Sequence, residues 1–338
     1  MTNGEQKQRR TIQNLDPKQP AAAEAKFPVL NSYADLEKMA QEWLAYLDVS
    51  ANSELVYRKS LGYFFQWMID HNLSDPARAD ILAYRNDLIQ ENLSVGTVNQ
   101  YVRAVKSFYQ WLEHIGAHPD ITKGLKHLKS DYGFKKGYLS GEQCRKVLDV
   151  FNEKDPNEKN LRNKAILGLL MTTGLRTIEV CNADVGDFEM RGEMRILRVK
   201  GKGHHEKGDF VKVPDQTWIL IRDYLNTRDA LKAGSPLFAS LDHRFPGRRL
   251  TTKSIREICK DAFAAAGIDA PNISAHSLRH TTATLALKEG AKIEQVQQAL
   301  RHASMDTTMI YVHAIERERN AAEDLVANLV FDSAKEED

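Results

Sequence analysis

Features of secreted, disulfide-bonded and membrane proteins are scarce in this sequence. Its 338 residues include three cysteines, Cys144, Cys181 and Cys259, whose odd number and wide spacing argue against a disulfide framework. No apolar run reaches the roughly 20 residues that a membrane-spanning helix needs, and no signal peptide is evident. The sequence therefore predicts a cytoplasmic protein with no membrane contact.

An excess of one charge is also missing, since 47 basic and 46 acidic residues leave a formal net charge of +1. The distribution is nevertheless uneven. The last 23 residues, 316–338, hold three basic and eight acidic residues, which leaves a net charge of +6 on residues 1–315. Basic residues cluster in 123–146, 195–212 and 244–256. Such patches are typical of nucleic-acid-binding proteins, although solvated loops and helix faces would explain each patch alone equally well.

Common metal-binding motifs are absent as well. His276 and His280 are four residues apart and could face one metal ion, but neither an HExxH pattern nor a nearby carboxylate accompanies them. We therefore expect no metal site and no cofactor.

Residue types suited to phosphodiester chemistry are concentrated near the C-terminus. His276, Arg279, His302 and Tyr311 lie within one short segment that reads as mostly helical. Arginine can bind two phosphate oxygens at once, histidine can transfer a proton near neutral pH, and tyrosine can form a covalent intermediate. The segment therefore predicts metal-free handling of a phosphodiester. Considered alone, Tyr311 would be better interpreted as a core aromatic of an amphipathic helix.

The N-terminal part of the chain reads as an arm followed by helices. Residues 1–26 are polar and aperiodic, which predicts a disordered arm. Residues 27–119 predict a four-helix domain because apolar residues recur there at helical spacing. On the fourth helix, which Ser94 can cap, a core stripe is formed by Val98, Tyr101, Val102, Val105, Phe108, Tyr109 and Leu112.

The chain is long enough for a second domain with its own core. Residues 120–137 contain five lysines and no clear period, which predicts a basic linker. Residues 138–315 predict a mixed α/β domain, and residues 316–338 a C-terminal helix with an acidic tail. The elements predicted for residues 138–315 are a helix capped by Ser140 and Gln143, a buried helix over Leu161–Thr173 ending at a left-handed Gly174, strands over Met194–Lys200 and Phe210–Val213, and helices over about Gln216–Lys232 and Thr251–Ala266. On the C-terminal helix, one apolar face carries Leu325, Val326, Leu329 and Val330.

Two motifs together resemble those of the tyrosine recombinase (phage integrase) family. The first is H-x-x-R-H followed by L-x-H and, nine residues after that histidine, a tyrosine; the second, TTGLRTIEV at 172–180, is similar to the family's first arginine box. The similarity extends over about residues 33–313. It implies a mainly α-helical protein in which a four-helix core-binding domain and a mixed α/β catalytic domain with a small antiparallel sheet form a clamp around DNA. The two-domain layout resembles Xer-type and mobile-element integrases.

The resemblance also implies roles for individual residues. The catalytic set would be Arg176, Lys202, His276, Arg279, His302 and Tyr311, supported by Glu179, with DNA contacts from Asn99, Gln100, Arg103, Lys106, Lys135 and Lys136. The loop around Lys202 is about three residues longer than the family's usual hairpin, so Lys207 remains an alternative general acid. Arg301 stands where the family usually has glycine, and the sequence leaves open whether it contacts phosphate or is merely exposed.

The implied reaction is site-specific recombination through a 3′-phosphotyrosine and a Holliday junction, without metal or ATP. Its partner would be double-stranded DNA with paired half-sites, bound by a dimer at each site and a tetramer in the synapse. The C-terminal helix would dock in a neighbouring copy or fold back on its own domain. A type IB topoisomerase or a telomere resolvase would share this chemistry. An inactive DNA-binding accessory protein would lack the tyrosine or an arginine, and neither is missing.

Overall fold

The computed structural model describes residues 33–129, 137–152, 156–201, 206–319 and 322–331. The chain divides into two compact units, Met1–Asp131 and Tyr132–Asp338. Within the described residues the fold is mainly helical, with thirteen α-helices and one three-stranded antiparallel sheet, which confirms the predicted fold class. The predicted arm, 1–26, lies outside the described residues.

The first unit is built from the four predicted helices. They are α1 (Tyr33–Tyr46), α2 (Ala51–Asp70), α3 (Arg78–Gln90) and α4 (Val95–His114). Ser94 caps α4 by accepting a hydrogen bond from the backbone N–H of Thr97. The core is rich in aromatic side chains, and Trp43 and Phe64 are fully buried there together with the centre of the α4 stripe, Phe108.

The stretch predicted as the start of the linker packs against the first unit instead. Leu125 is buried in the core of that unit, and Leu128 packs against it. The side chain of Asn99 holds the backbone of Leu128 at both its N–H and its carbonyl oxygen, each at 2.9 Å. The linker prediction was therefore wrong for residues 120–128, because two apolar anchors are hidden among lysines that suggested an extended segment.

The second unit surrounds a buried central helix. Its elements are α5 (Gly141–Asp149), α6 (Glu158–Thr173), α7 (Thr177–Asn182), β1 (Phe188–Arg191), β2 (Met194–Val199), β3 (Asp209–Lys212), α8 (Asp215–Leu225), α9 (Thr252–Ala265), α10 (Ala275–Lys288), α11 (Ile293–Leu300), α12 (Asp306–Arg319) and α13 (Ala322–Phe331). The sheet has the order β1-β2-β3, and α6 buries residues on all sides. As predicted, Ser140 and Gln143 form a capping box, and Gly174 ends α6 in the left-handed conformation.

One predicted helix end and one unpredicted strand in this unit differ from the structure. The helix predicted to reach Lys232 ends at Leu225, because the chain then turns and the Arg228 guanidinium donates to the carbonyls of Pro236 and Leu237. Strand β1 was not predicted, since its four residues are half-buried or exposed and show little alternation. A left-handed Gly192 forms the turn that returns β1 to β2.

The C-terminal region consists of two helices. The predicted boundary at residues 315/316 falls inside α12, which continues to Arg319. On α13 the predicted apolar face is exposed to solvent, with Leu325 at 68% and Leu329 at 82%. No helix among the described residues has the length and apolar character needed to cross a bilayer.

Candidate active site

The junction between α6 and α7 positions the first predicted arginine. Gly174 has a φ of 61°, and a Cβ atom there would collide with the side chain of Leu300. Two residues later Arg176 is the N-cap of α7, and the carboxylate of Glu179 accepts its backbone N–H at 2.7 Å and its Nη1 at 2.9 Å. Glu179 is 2% exposed, so the arginine is held by a buried carboxylate. The supporting role of Glu179 stays a prediction, and this pairing is the contact through which it would act.

Arg279, on α10, connects the motif segments of the second unit. Its side chain is buried, and its guanidinium donates to the carbonyl oxygens of Gly174, at 2.6 Å, and Leu300. Burial, together with the neighbouring Arg176 and Arg301, lowers the pKa of Arg279 to about 10. The group therefore stays protonated at neutral pH, and its orientation is fixed before any ligand arrives.

His302 and Tyr311 face each other beside these arginines. Their rings are stacked, with centroids 6.3 Å apart and 9° between the ring planes. The His302 Nδ1 lies 2.9 Å from the hydroxyl of Thr308. Burial and the nearby Arg279 lower the pKa of His302 to about 4, so the imidazole is neutral at pH 7.

Tyr311 is only 3% exposed. Burial raises the pKa of its phenol, and the positive charge of Arg279 opposes that rise. A neighbouring cation favours the phenolate, which is the form that can act as a nucleophile. The phenol is thus desolvated and lies in the field of a buried arginine.

His276 is exposed, and the ring of His280 lies near both His276 and Tyr311. The ring centroids are 4.9 Å apart for His276 and His280 and 5.4 Å apart for His280 and Tyr311. From the sequence, His280 was considered only as a possible metal ligand. In the described part of the chain, no group of three histidine, cysteine or carboxylate side chains is placed to hold a metal ion. The second histidine of H-x-x-R-H was the available signal for this position.

The structure also adds Arg301 to the site. This residue ends α11, and its Nη2 donates to the Glu179 carboxylate at 2.7 Å, on the oxygen that also accepts the backbone N–H of Arg176. The side chain is 10% exposed, so of the two readings left open by the sequence the exposed one is wrong. The hint in the sequence was an arginine directly before His302, where the family usually has glycine.

The structure describes only one of the two candidate hairpin lysines, Lys207. Lys202 lies outside the described residues. The Nζ of Lys207 contacts the carboxylates of Asp184, at 2.6 Å, and Asp187, at 2.5 Å. Burial lowers the pKa of Lys207, but these two hydrogen bonds outweigh that effect and raise it above its ordinary value. A lysine held in this way has a weaker tendency to give up its proton, which disfavours Lys207 as a general acid.

The predicted DNA contacts on α4 occupy different environments. Gln100 and Arg103 are exposed and Lys106 is half-buried. The amide of Asn99 is engaged by the backbone of Leu128. Contacts of these side chains with DNA stay predictions, and Lys135 and Lys136 lie outside the described residues.

Known proteins resemble this chain along most of its length. The profile of the phage integrase family matches residues 137–318, and that of the N-terminal SAM-like domain of phage integrases matches residues 36–116. Tyrosine recombinase XerD of Oceanobacillus iheyensis is 30% identical over 78% of this chain and 88% of its own length. Tyrosine recombinase XerC of Herpetosiphon aurantiacus is 28% identical over 87% of this chain and 97% of its own length.

Solved structures show the same fold. The XerH site-specific recombinase bound to its palindromic difH substrate superposes with a TM-score of 0.70 at 20% identity, covering 88% of this chain and 85% of that one. A lambda integrase dimer bound to a core site has a TM-score of 0.61 at 14% identity, covering 80% and 96%. The profile match over more than half of the chain, together with the two boxes that meet around Arg279, identifies the chain as a member of the phage integrase family.

Proposed function

We propose that this chain is a site-specific recombinase that cuts and rejoins DNA strands through a 3′-phosphotyrosine at Tyr311. The observation that carries the proposal is the meeting of three chain segments in one site. Arg176 is the N-cap of α7, Arg279 lies on α10 and Tyr311 on α12, and both Arg176 and Tyr311 are close enough to Arg279 to affect its pKa. A phenol beside two fixed guanidinium groups is suited to in-line attack on a phosphodiester.

In the proposed reaction the Tyr311 oxygen forms a bond to phosphorus as the bond to the 5′-oxygen breaks. Arg176 and Arg279 stabilise the non-bridging oxygens as negative charge builds up. Neutral His302 can donate one further hydrogen bond, with Thr308 fixing its ring. The 5′-hydroxyl of a partner strand then attacks the phosphotyrosine and releases the phenol, so the energy of the phosphodiester is retained without ATP.

Two proton transfers accompany this chemistry. The phenol has an ordinary pKa of about 10, and burial raises it further, so Tyr311 needs a proton acceptor. We assign that role to His276, whose ring lies beside that of His280, a neighbour of Tyr311. Lys202 would protonate the leaving 5′-oxygen. The two carboxylates on Lys207 support Lys202 as the hairpin acid.

The burial of Tyr311 has a consequence for timing. Tyr311 is 3% exposed as a whole residue, and we propose that the side chains covering it move before a DNA phosphate reaches the phenol oxygen. We therefore expect the free chain to be inactive toward isolated phosphodiesters, and DNA binding or assembly to open the site.

Assembly is supported by the exposed face of α13. Leu325, Leu329 and Phe331 are 68%, 82% and 80% exposed, which is costly in water unless another surface covers them. A lambda integrase tetramer bound to a Holliday junction has a similar fold, with a TM-score of 0.59 at 17% identity. We propose that α13 docks on a second copy of this chain, giving a dimer on each DNA site and a tetramer in the synapse.

The proposal is tested with a nicked duplex taken from the DNA that flanks the gene. The wild-type protein should form a covalent adduct that survives denaturation, and EDTA should not prevent it. Tyr311→Phe should bind the duplex and form none, whereas Tyr46→Phe, at an exposed tyrosine of the first unit, should behave as wild type. An adduct on Tyr311→Phe would remove this residue as the nucleophile. Joining of two separate sites distinguishes recombination from relaxation or hairpin formation.

A further inference from the structure

Arg301 adopts a backbone conformation that its residue type disfavours. It is the C-cap of α11 with a φ of 55° and a ψ of 49°, in the left-handed region. A non-glycine residue costs about 1 kcal/mol there relative to glycine, because its Cβ crowds the neighbouring carbonyl oxygen. Ending the helix therefore does not explain an arginine at this position.

The Arg301 side chain is committed to the site and does not extend into solvent. Its Nη2 donates to Glu179 at 2.7 Å, and its Nη1 donates to the carbonyl of Ala299 at 3.0 Å. Its Nε is buried without a hydrogen-bond acceptor among the described residues. Burying a guanidinium with an unsatisfied donor is unfavourable for stability, which indicates a reason other than stability for its presence.

The charges around Arg301 are unbalanced. The guanidinium groups of Arg176 and Arg301 share the carboxylate of Glu179, and both lower the pKa of the buried Arg279. Asp209, at the start of β3, favours the charged form of Arg301 without a hydrogen bond to it among the described residues. Three cations beside one bonded carboxylate leave an excess of positive charge, which a phosphate anion would balance.

We infer that Arg301 is a positioning residue of the recombination site. It holds the Glu179 carboxylate against Arg176, so that the Arg176 guanidinium is aligned before the phosphate binds, and it adds a third positive charge beside the phosphate position. This inference rests on the proposed function, because it assigns Arg301 to the cleavage reaction at Tyr311.

The test uses the full-length protein and the nicked duplex, with adduct formation followed under single-turnover conditions at saturating protein. Arg301→Gly relieves the backbone strain, so its melting temperature should equal or exceed that of the wild type. Its rate of adduct formation should fall by about 10²-fold, the effect of a misplaced catalytic group, while its affinity for the duplex is unchanged. Arg301→Lys keeps the charge without the planar fork and should recover part of the rate.

A double-mutant cycle separates positioning through Glu179 from a general effect on the fold. Glu179→Gln should slow adduct formation. The double variant Glu179→Gln/Arg301→Gly should be slowed by less than the product of the two single-variant factors, because both changes break the same contact. Arg301→Asn, which also tolerates the left-handed conformation, guards against a failure to fold that is specific to glycine.

The possible failures are distinguishable. A wild-type protein that forms no adduct would overturn the proposed function and this inference together. A wild-type protein that forms it while Arg301→Gly reacts equally fast would overturn the role of Arg301 alone. A rate loss in Arg301→Gly fully matched by lost DNA affinity or lost folded protein would also contradict it.

Discussion

The two units of this chain bury different kinds of side chain. In the first unit the largest buried groups are aromatic and apolar, with Trp43, Phe64 and Phe108 fully enclosed. The second unit buries charged groups at its site, where Glu179 is 2% exposed and Arg279 is 3% exposed. Burying apolar side chains stabilises a fold, whereas burying charged side chains adds little to the free energy of unfolding. The first interior is therefore explained by stability, and part of the second by chemistry.

The largest effect that would sharpen this contrast is expected at the hairpin of the second unit. Lys202→Ala should slow adduct formation by about 10²–10⁴-fold, the usual contribution of a general acid. A 5′-bridging sulfur at the cut phosphate should restore the rate, because a thiolate leaves without protonation. Lys207→Ala serves as the matched control. If Lys207→Ala, and not Lys202→Ala, lost activity that the bridging sulfur restores, Lys207 would be the general acid.

A change at the buried arginine of the second unit should impair chemistry more than folding. Arg279→Lys keeps the charge but loses the fork that reaches two carbonyls, so adduct formation should fall by about 10²–10³-fold. Arg222→Lys, at an exposed arginine of α8, is the control. Single-turnover rates and a denaturant titration would be measured together, and a loss confined to stability would break the comparison.

The opposite pattern is expected in the first unit. Phe108→Ala removes a fully buried ring and should lower the free energy of unfolding by about 3–5 kcal/mol. Molecules that remain folded and bound to DNA should react at the wild-type rate. Urea titration and single-turnover cleavage by the same preparation test this, and a slow reaction in the folded fraction would contradict it.

A smaller effect is expected from pH. The pKa of His302 is about 4 in the folded chain, against about 6.5 for an unperturbed histidine, so the unfolded state binds more protons between these values. Stability should therefore fall as pH drops from about 6.5 toward 4. Urea midpoints across this range should depend less on pH in His302→Gln, whereas the exposed His243→Gln should follow the wild type. Equal slopes in all three proteins would remove His302 as the cause.

The smallest predicted effect separates folding from DNA contact within α4. Asn99→Ala should cost about 1 kcal/mol, because the amide that holds Leu128 is lost. Gln100→Ala, at an exposed neighbour, should leave stability unchanged and alter only DNA affinity. Thermal melts and binding titrations of both variants decide the point. An unchanged melting temperature for Asn99→Ala would show that the contact with Leu128 does not stabilise the fold, and DNA binding would then be the better role for Asn99.

Local signals in the sequence predicted much of this molecule. The four helices of the first unit, the capping box at Ser140 and the left-handed Gly174 each depend on neighbouring residues, and the structure confirms them. The motifs singled out Arg176, Arg279, His302 and Tyr311, which lie near one another in the second unit, and their catalytic roles stay predictions. Contacts between distant segments were beyond that reasoning: the anchoring of Leu128 by Asn99 and the pairing of Arg301 with Glu179 join residues far apart in sequence. The early end of α8 was missed for a more local reason, because Arg228 donates to carbonyls eight and nine residues further on, across the turn.

The fit between Gly174 and Leu300 has a practical consequence for anyone building hybrid recombinases. The two segments lie 126 positions apart in the chain, and one guanidinium, that of Arg279, ties both of their carbonyls. A crossover anywhere between them would combine residue 174 of one parent with residue 300 of the other, and these two residues must fit each other closely. Functional chimeras should therefore inherit all three segments from a single ancestor, and the exchangeable modules lie outside that block.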